Sequence, residues 1–208
     1  FNWLRMPLET AMAGQELQVL TPFEMPFTYV KISLLVSVFA TAPWILLQIW
    51  LFVAPGLYAH EKRWIAPFVI MGTLAFIAGG AAAFYYVIPF MYKTLATMVP
   101  MGVKQQFTVG EYFTTVFHLL LIFGFIFELP LVMMIMAAAG LVKPQSFAKW
   151  RKYWIVGSFV VGGVVTADPS PVSMTMMAVP LIVFWELGIW GSYLVARKRE
   201  KSRARGAT

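Results

Sequence analysis

The sequence predicts an all-α, polytopic transmembrane helical bundle, and three observations predict it. Of the 208 residues, 60% are hydrophobic and only 12% charged, with a mean hydropathy of +0.75; a soluble domain carries about 25% charged residues. The apolar residues are gathered into five blocks, most of them as long as the ~20 residues a helix needs to cross a bilayer. Those blocks lack the period-two alternation of a membrane barrel, so helices are left as the way to satisfy backbone groups in lipid.

In order, the blocks run from about Ile32 to Phe52, Trp64 to Met91, Tyr112 to Ala139, Trp154 to Ala167 and Val172 to Ala196. The domain reading follows: residues 1–31 form an external (periplasmic) cap, 32–196 a transmembrane bundle of five helices, and 197–208 a basic cytoplasmic tail. The cap contains Pro7, Gly14, Pro22 and Pro26, which predicts turns and short helical pieces. The fourth block is short: 14 residues at 1.5 Å each reach ~21 Å, so it predicts either local bilayer thinning or a helix that begins earlier, near Phe147.

Orientation comes from the basic residues. Lys62, Arg63, Lys143, Lys149, Arg151, Lys152 and the tail's Arg197, Lys198, Arg199, Lys201, Arg203 and Arg205 make twelve of the 16. Only Arg5, Lys31, Lys93 and Lys104 fall on the other side, together with Glu9, Glu16, Glu24, Glu111 and Asp168. The first side, with the C-terminus, is therefore expected in the cytoplasm. The chain then starts outside, with Phe1-Asn2-Trp3 and no signal peptide, which predicts one further span upstream and six in the intact protein.

Several chemistries find no footing in the sequence. Cysteine is absent, and His60 and His118 lie too far apart for metal-ligand spacing, so neither a metal nor a cofactor is expected. No phosphate-binding G-x-x-x-x-G-K-[ST], H-E-x-x-H or G-x-S-x-G run occurs, and no enzyme is expected. The net charge of +7 is spread between apolar blocks rather than over one soluble face, which argues against nucleic acid.

The candidate residues are carboxylates where carboxylates are costly. Glu128 and Glu186 lie inside blocks; a mid-bilayer charge costs roughly 2.5–3.5 kcal/mol, so each must face protein or water or carry a proton. Glu128 stands before Pro130, which frees the carbonyl of Ile126 and kinks the helix, and one turn after Gly124. Its functional reading is a polar acceptor in a groove; its structural one is a carboxyl bonded within the bundle. Glu186, nearer the cytoplasmic end, is read as structural. In the first cytoplasmic connection, Phe52 to Arg63, Leu57 and Tyr58 can anchor at the interface, and Glu61 is the lone acid among the cytoplasmic connections before the tail. It can accept a bidentate guanidinium or simply neutralise Lys62 and Arg63. From these residues alone, a proton-coupled small-solute transporter with Glu128 and Glu186 as a relay stays open as the alternative, although the inverted repeats it predicts are not visible.

Motifs in register add a resemblance. Thr21-Pro22-x-Glu24 with Lys31, the run of Pro43, Gln48, Trp50, Phe52, Pro55, Leu57, Tyr58, Glu61, Lys62 and Arg63, and Phe123-Gly124-x-x-Phe127-Glu128-x-Pro130 are three of them. Arg151-Lys152-Tyr153 with Phe159 and Gly162, and Ala178-Val179-Pro180 with Glu186-Leu187-Gly188, complete the set. Together they resemble the TatC family, the multi-span receptor of the twin-arginine (Sec-independent) protein translocase, over almost the whole chain. The resemblance implies a cup-shaped bundle in the bacterial inner membrane that recognises twin-arginine signal peptides of folded cargo, assembles with single-span Tat partners, associates with itself and draws on the proton gradient. It implies that Glu61 pairs with a guanidinium, that Phe52 packs the signal's apolar residues, and that Leu57, Tyr58, Lys62 and Arg63 complete that patch. Glu128 would face the concave membrane side where signal peptide and partner helices dock. Ser173, Met174 and Thr175 stand where the family's partner-contacting polar cluster begins, but Met174 replaces its usual Gln. The Thr166-Ala167-Asp168-Pro169-Ser170-Pro171 stretch also departs from the commoner Thr-Pro-Pro-Asp, and the family's cytoplasmic N-terminal segment and first span have no counterpart here.

Overall fold

The computed structural model describes residues 2–11, 17–53, 65–97, 106–165 and 171–206. Among them the regular elements are helices: α1 (Asn2–Ala11), α2 (Glu24–Val53), α3 (Ile65–Ala82), α4 (Ile88–Thr97), α5 (Val109–Ala139), α6 (Pro144–Val165) and α7 (Pro171–Gly206), with a π-helical turn at Ala83–Val87 joining α3 to α4.

Local chemistry sets several boundaries. Pro144 and Pro171 open α6 and α7, where the missing N–H is not needed and φ is already helical. Gly140, at φ 75°, closes α5 in the left-handed conformation, with Leu141 N–H donating to the Met136 carbonyl at 3.0 Å and Gly140 N–H to Ala137 at 3.1 Å. The π turn sits just ahead of Pro89. A proline there cannot donate to the carbonyl four residues back, and the wider turn, in which Ile88 N–H reaches Ala83, takes up the mismatch.

Among the described residues, four helical segments are long and apolar enough to span a membrane: Glu24–Ile49, Pro67–Thr97, Val109–Ala139 and Pro171–Arg197. Most of their apolar surface points outward; only 11% of the first segment's apolar window is buried, against 50% for α5. Side chains such as Trp44, Leu74, Val164 and Trp190, each more than half exposed, need hydrocarbon around them. The chain is a multi-pass membrane protein. Helix α6 is not among the four, because Lys149, Arg151 and Lys152 lie in its first half. Its 22 residues nevertheless reach ~33 Å, so the short fourth block needs no bilayer thinning: the helix begins at Pro144, even earlier than Phe147.

Two compact units divide the chain. The first comprises residues 1–41 and 77–124. Its core is Leu4 and Leu8 of α1, Phe84, Ile88, Met91 and Tyr92, and Tyr112, Phe113, Val116 and Leu119 of α5. The Tyr112 hydroxyl donates to the Leu4 carbonyl at 2.6 Å and Trp3 stacks on Phe84 at 4.3 Å, which fixes α1 across this core. Glu24 ties the chain before α2 to the head of α5: its carboxylate accepts from Leu20 N–H at 2.8 Å, Thr21 N–H at 3.4 Å and Gly110 N–H at 2.5 Å. A parallel bridge between Gln18 and Thr108 lies beside it, and Lys31 donates to Thr114 at 2.6 Å.

Residues 42–76 and 125–208 form the second unit. Here Leu131 and Ile135 of α5 pack against Leu46, Phe68 and Val69, and α6 lies along α7. Their crossing depends on Gly162, where an added Cβ would fall 2.8 Å from the Met174 carbonyl oxygen; only glycine lets the two backbones approach so closely. Trp154 stacks on Trp185 at 4.4 Å and donates its indole N–H to the Leu181 carbonyl at 3.1 Å.

Candidate functional site

Glu128 is the one buried polar side chain of α5 left without a hydrogen-bond partner among the described residues. It is 5% exposed, and both carboxyl oxygens are buried without a hydrogen-bond partner among the described residues. Leaving a buried polar group unpaired costs about 1–3 kcal/mol, more if it is charged. Gly72 of α3 faces it: a Cβ at that position would lie 3.1 Å from each carboxyl oxygen and 3.2 Å from Leu131. The glycine therefore makes room for the carboxyl without donating to it. The sequence reading found Glu128 but missed Gly72, whose only trace there is a small residue in an apolar run.

Three residues earlier on α5, Phe125 is 59% exposed and meets Phe76 edge-on at 5.5 Å. Phe127 packs on Phe184 of α7 at 4.0 Å. Pro130 remains inside an unbroken α5, so the freed Ile126 carbonyl is carried within a continuous helix.

Glu186 has a different fate. Its carboxylate is held by Arg151 of α6, at 2.6 Å from Nε and 2.8 Å from Nη2, so it is paired between two helices instead of reaching alone for the headgroups. No hydrogen bond joins Glu186 to Glu128, and the relay needed by a solute transporter is not favoured. The missed partner was Arg151: an Arg in one helix and a Glu 35 positions later carry no local spacing signal.

Of the proposed partner-contact residues, Ser173 is buried at 3%, Met174 packs on Gly163 of α6, and Thr175 is exposed with its hydroxyl bonded back to the Pro171 carbonyl at 2.6 Å. The first-connection residues do not enter this geometry. Phe52 belongs to α2 by its backbone, while its side chain, together with Leu57, Tyr58, Glu61, Lys62 and Arg63, lies outside the described residues. No group of three or more metal-ligating side chains occurs among the described residues.

Helices long and apolar enough to cross a membrane define the class as a multi-pass membrane protein, with the Glu128 carboxyl buried and unpaired among the described residues. The comparisons with known proteins make this particular. The family described as "Sec-independent protein translocase protein (TatC)" matches residues 1–180. Relatives of that name include those of Halothiobacillus neapolitanus, 36% identical over 92% of this chain and 52% of its own length, and of Aquifex aeolicus, 34% identical over 97% and 84%. The chain thus spans about half the length of the first and most of the second. The Escherichia coli K12 relative is 35% identical over 88% of this chain and 70% of its own. A crystal structure described as the twin-arginine translocase receptor TatC superposes with a TM-score of 0.84, at 33% identity, covering 93% of this chain and 85% of that one. The chain belongs to the TatC family and is a membrane subunit of the Sec-independent protein translocase.

Proposed function

We propose that this subunit is the receptor for twin-arginine signal peptides of folded cargo, acting in the bacterial inner membrane with its C-terminus in the cytoplasm. In this reading Glu61 grips a guanidinium of the arriving signal, and Phe52 with Leu57 and Tyr58 covers the signal's apolar residues. Lys62 and Arg63 tune the charge of the same patch. Transport by the assembled complex draws on the proton gradient, and the intact bundle has six spans, α6 among them, in a cup-shaped arrangement. Single-span Tat partners and further copies of the subunit complete the assembly, with Thr175 at the exposed start of α7 as a partner contact that Ser173 and Met174 position against α6.

The observation that carries the reading is the pocketed carboxyl of Glu128 in a chain of this family. A receptor for helices and peptides needs an acceptor kept free until the guest arrives, and both oxygens of Glu128 lack a donor among the described residues. The test is binding of a twin-arginine peptide to the translocase. Glu61→Ala should weaken it at least ~10-fold, the equivalent of one charge-assisted hydrogen bond of about 1.5–3 kcal/mol, while membrane insertion is unchanged. Undiminished binding would sink the assignment of Glu61.

A further inference from the structure

Near its basic end, α6 presents Trp150, Tyr153, Trp154, Gly157 and Val161 at the three- and four-residue spacing of one helix face. Together with Trp185 of α7 they line a cleft of about 270 Å³. Gly157 keeps it open, since a Cβ built there meets nothing within 4 Å. Trp150 and Tyr153 are 64% and 62% exposed, so the cleft opens outward and not into the helix pair.

Two cations stand at its mouth. Lys149 precedes Tyr153 by one helical turn, and the Lys152 ammonium lies 5.1 Å from the Tyr153 ring centre. Neither is paired with a carboxylate among the described residues, where Glu186 is already held by Arg151. Trp185, which lines the cleft, has a buried indole N–H with no acceptor among the described residues. The cleft thus combines cations, aromatic rings, an unmet donor from α7 and an open apolar groove.

We propose that this cleft binds one anionic phospholipid from the leaflet at the basic end of α6. Its phosphate sits at Lys149 and Lys152, an ester carbonyl accepts from Trp185, and an acyl chain runs past Gly157. The match of charge to headgroup and groove to hydrocarbon selects an amphiphile. This inference stands apart from the receptor reading and from Glu61.

Three of the chain's 8 tryptophans line the cleft, so their fluorescence reports its contents. The full chain is reconstituted in phosphatidylcholine vesicles doped with brominated phosphatidylglycerol or brominated phosphatidylcholine, and quenching is followed against mole fraction. Two lysines near the surface predict half-quenching at about 25-fold lower phosphatidylglycerol. K149Q/K152Q, at two exposed positions, should bring the two lipids within about twofold of each other, and G157L should reduce quenching by both. Equal quenching by the two lipids in the unaltered chain overturns the proposal, as does a preference that survives K149Q/K152Q, which would mark a general interfacial aromatic belt. Crosslinking of a partner helix across Trp150 and Tyr153 in the assembled complex also overturns it.

Discussion

At Glu128 the interests of stability and of function diverge. A carboxyl with no donor destabilises the chain that holds it, and replacing such a group by an apolar one of similar shape is neutral or stabilising. Glu128→Leu should therefore leave thermal stability in detergent unchanged or raise it by about 1–3 kcal/mol, while transport of a twin-arginine substrate falls. A loss of stability would show that the carboxyl has an internal partner. Glu24 makes the opposite case: three backbone N–H groups converge on its carboxylate. Glu24→Ala removes all three acceptor contacts and should lower the melting temperature. Glu128 was legible in the sequence because an acid in an apolar run is costly wherever it points. Gly72 was not, because its role appears only when α3 and α5 are set in register, and no spacing rule links positions so far apart.

At the level of elements, α6 and α7 show what a close crossing requires. Met174 carbonyl oxygen occupies the space a side chain at Gly162 would need, and backbone cannot rotate away as a flexible side chain can. Gly162→Ala should destabilise the helix pair by about 1–3 kcal/mol, whereas Gly157→Ala, with open space around it, should be close to neutral; thermal melts of the two variants make the comparison. The Arg151–Glu186 pair, with side chains 48% and 31% exposed, should couple by no more than about 1 kcal/mol in a double-mutant cycle with Gln at both sites. Hydropathy located α5 and the start of α7 well but began the first block at Ile32, eight residues into α2, and placed the start of α6 at Trp154, since the turn before it carries Lys149, Arg151 and Lys152 and looks polar. The structure starts the helix at Pro144 because helix formation follows backbone chemistry, for which Lys and Arg are good residues and an opening proline is welcome. The π turn ahead of Pro89 was likewise only half legible: the proline marks a disturbance, and nothing in it says whether the helix will kink or widen.

For the whole molecule, composition alone was enough to choose helices and a membrane, because both follow from summed properties that do not depend on register. The fold matches that of a TatC crystal structure over 93% of the chain. Orientation rests on twelve of 16 basic residues falling to one side, and the absence of cysteine makes it directly measurable. Single cysteines introduced as Gln106→Cys and Ser202→Cys should behave oppositely in spheroplasts: a membrane-impermeant maleimide should label the first and reach the second only after the membrane is opened. The central claim, that a lone acid in the first connection grips the signal, is best tested by photo-crosslinking from Phe52 in the assembled translocase. The account predicts a crosslink to a signal peptide bearing Arg-Arg that is lost with Lys-Lys and lost again with Glu61→Ala. Equal crosslinking of the Lys-Lys peptide, or a crosslink indifferent to Glu61, would contradict it.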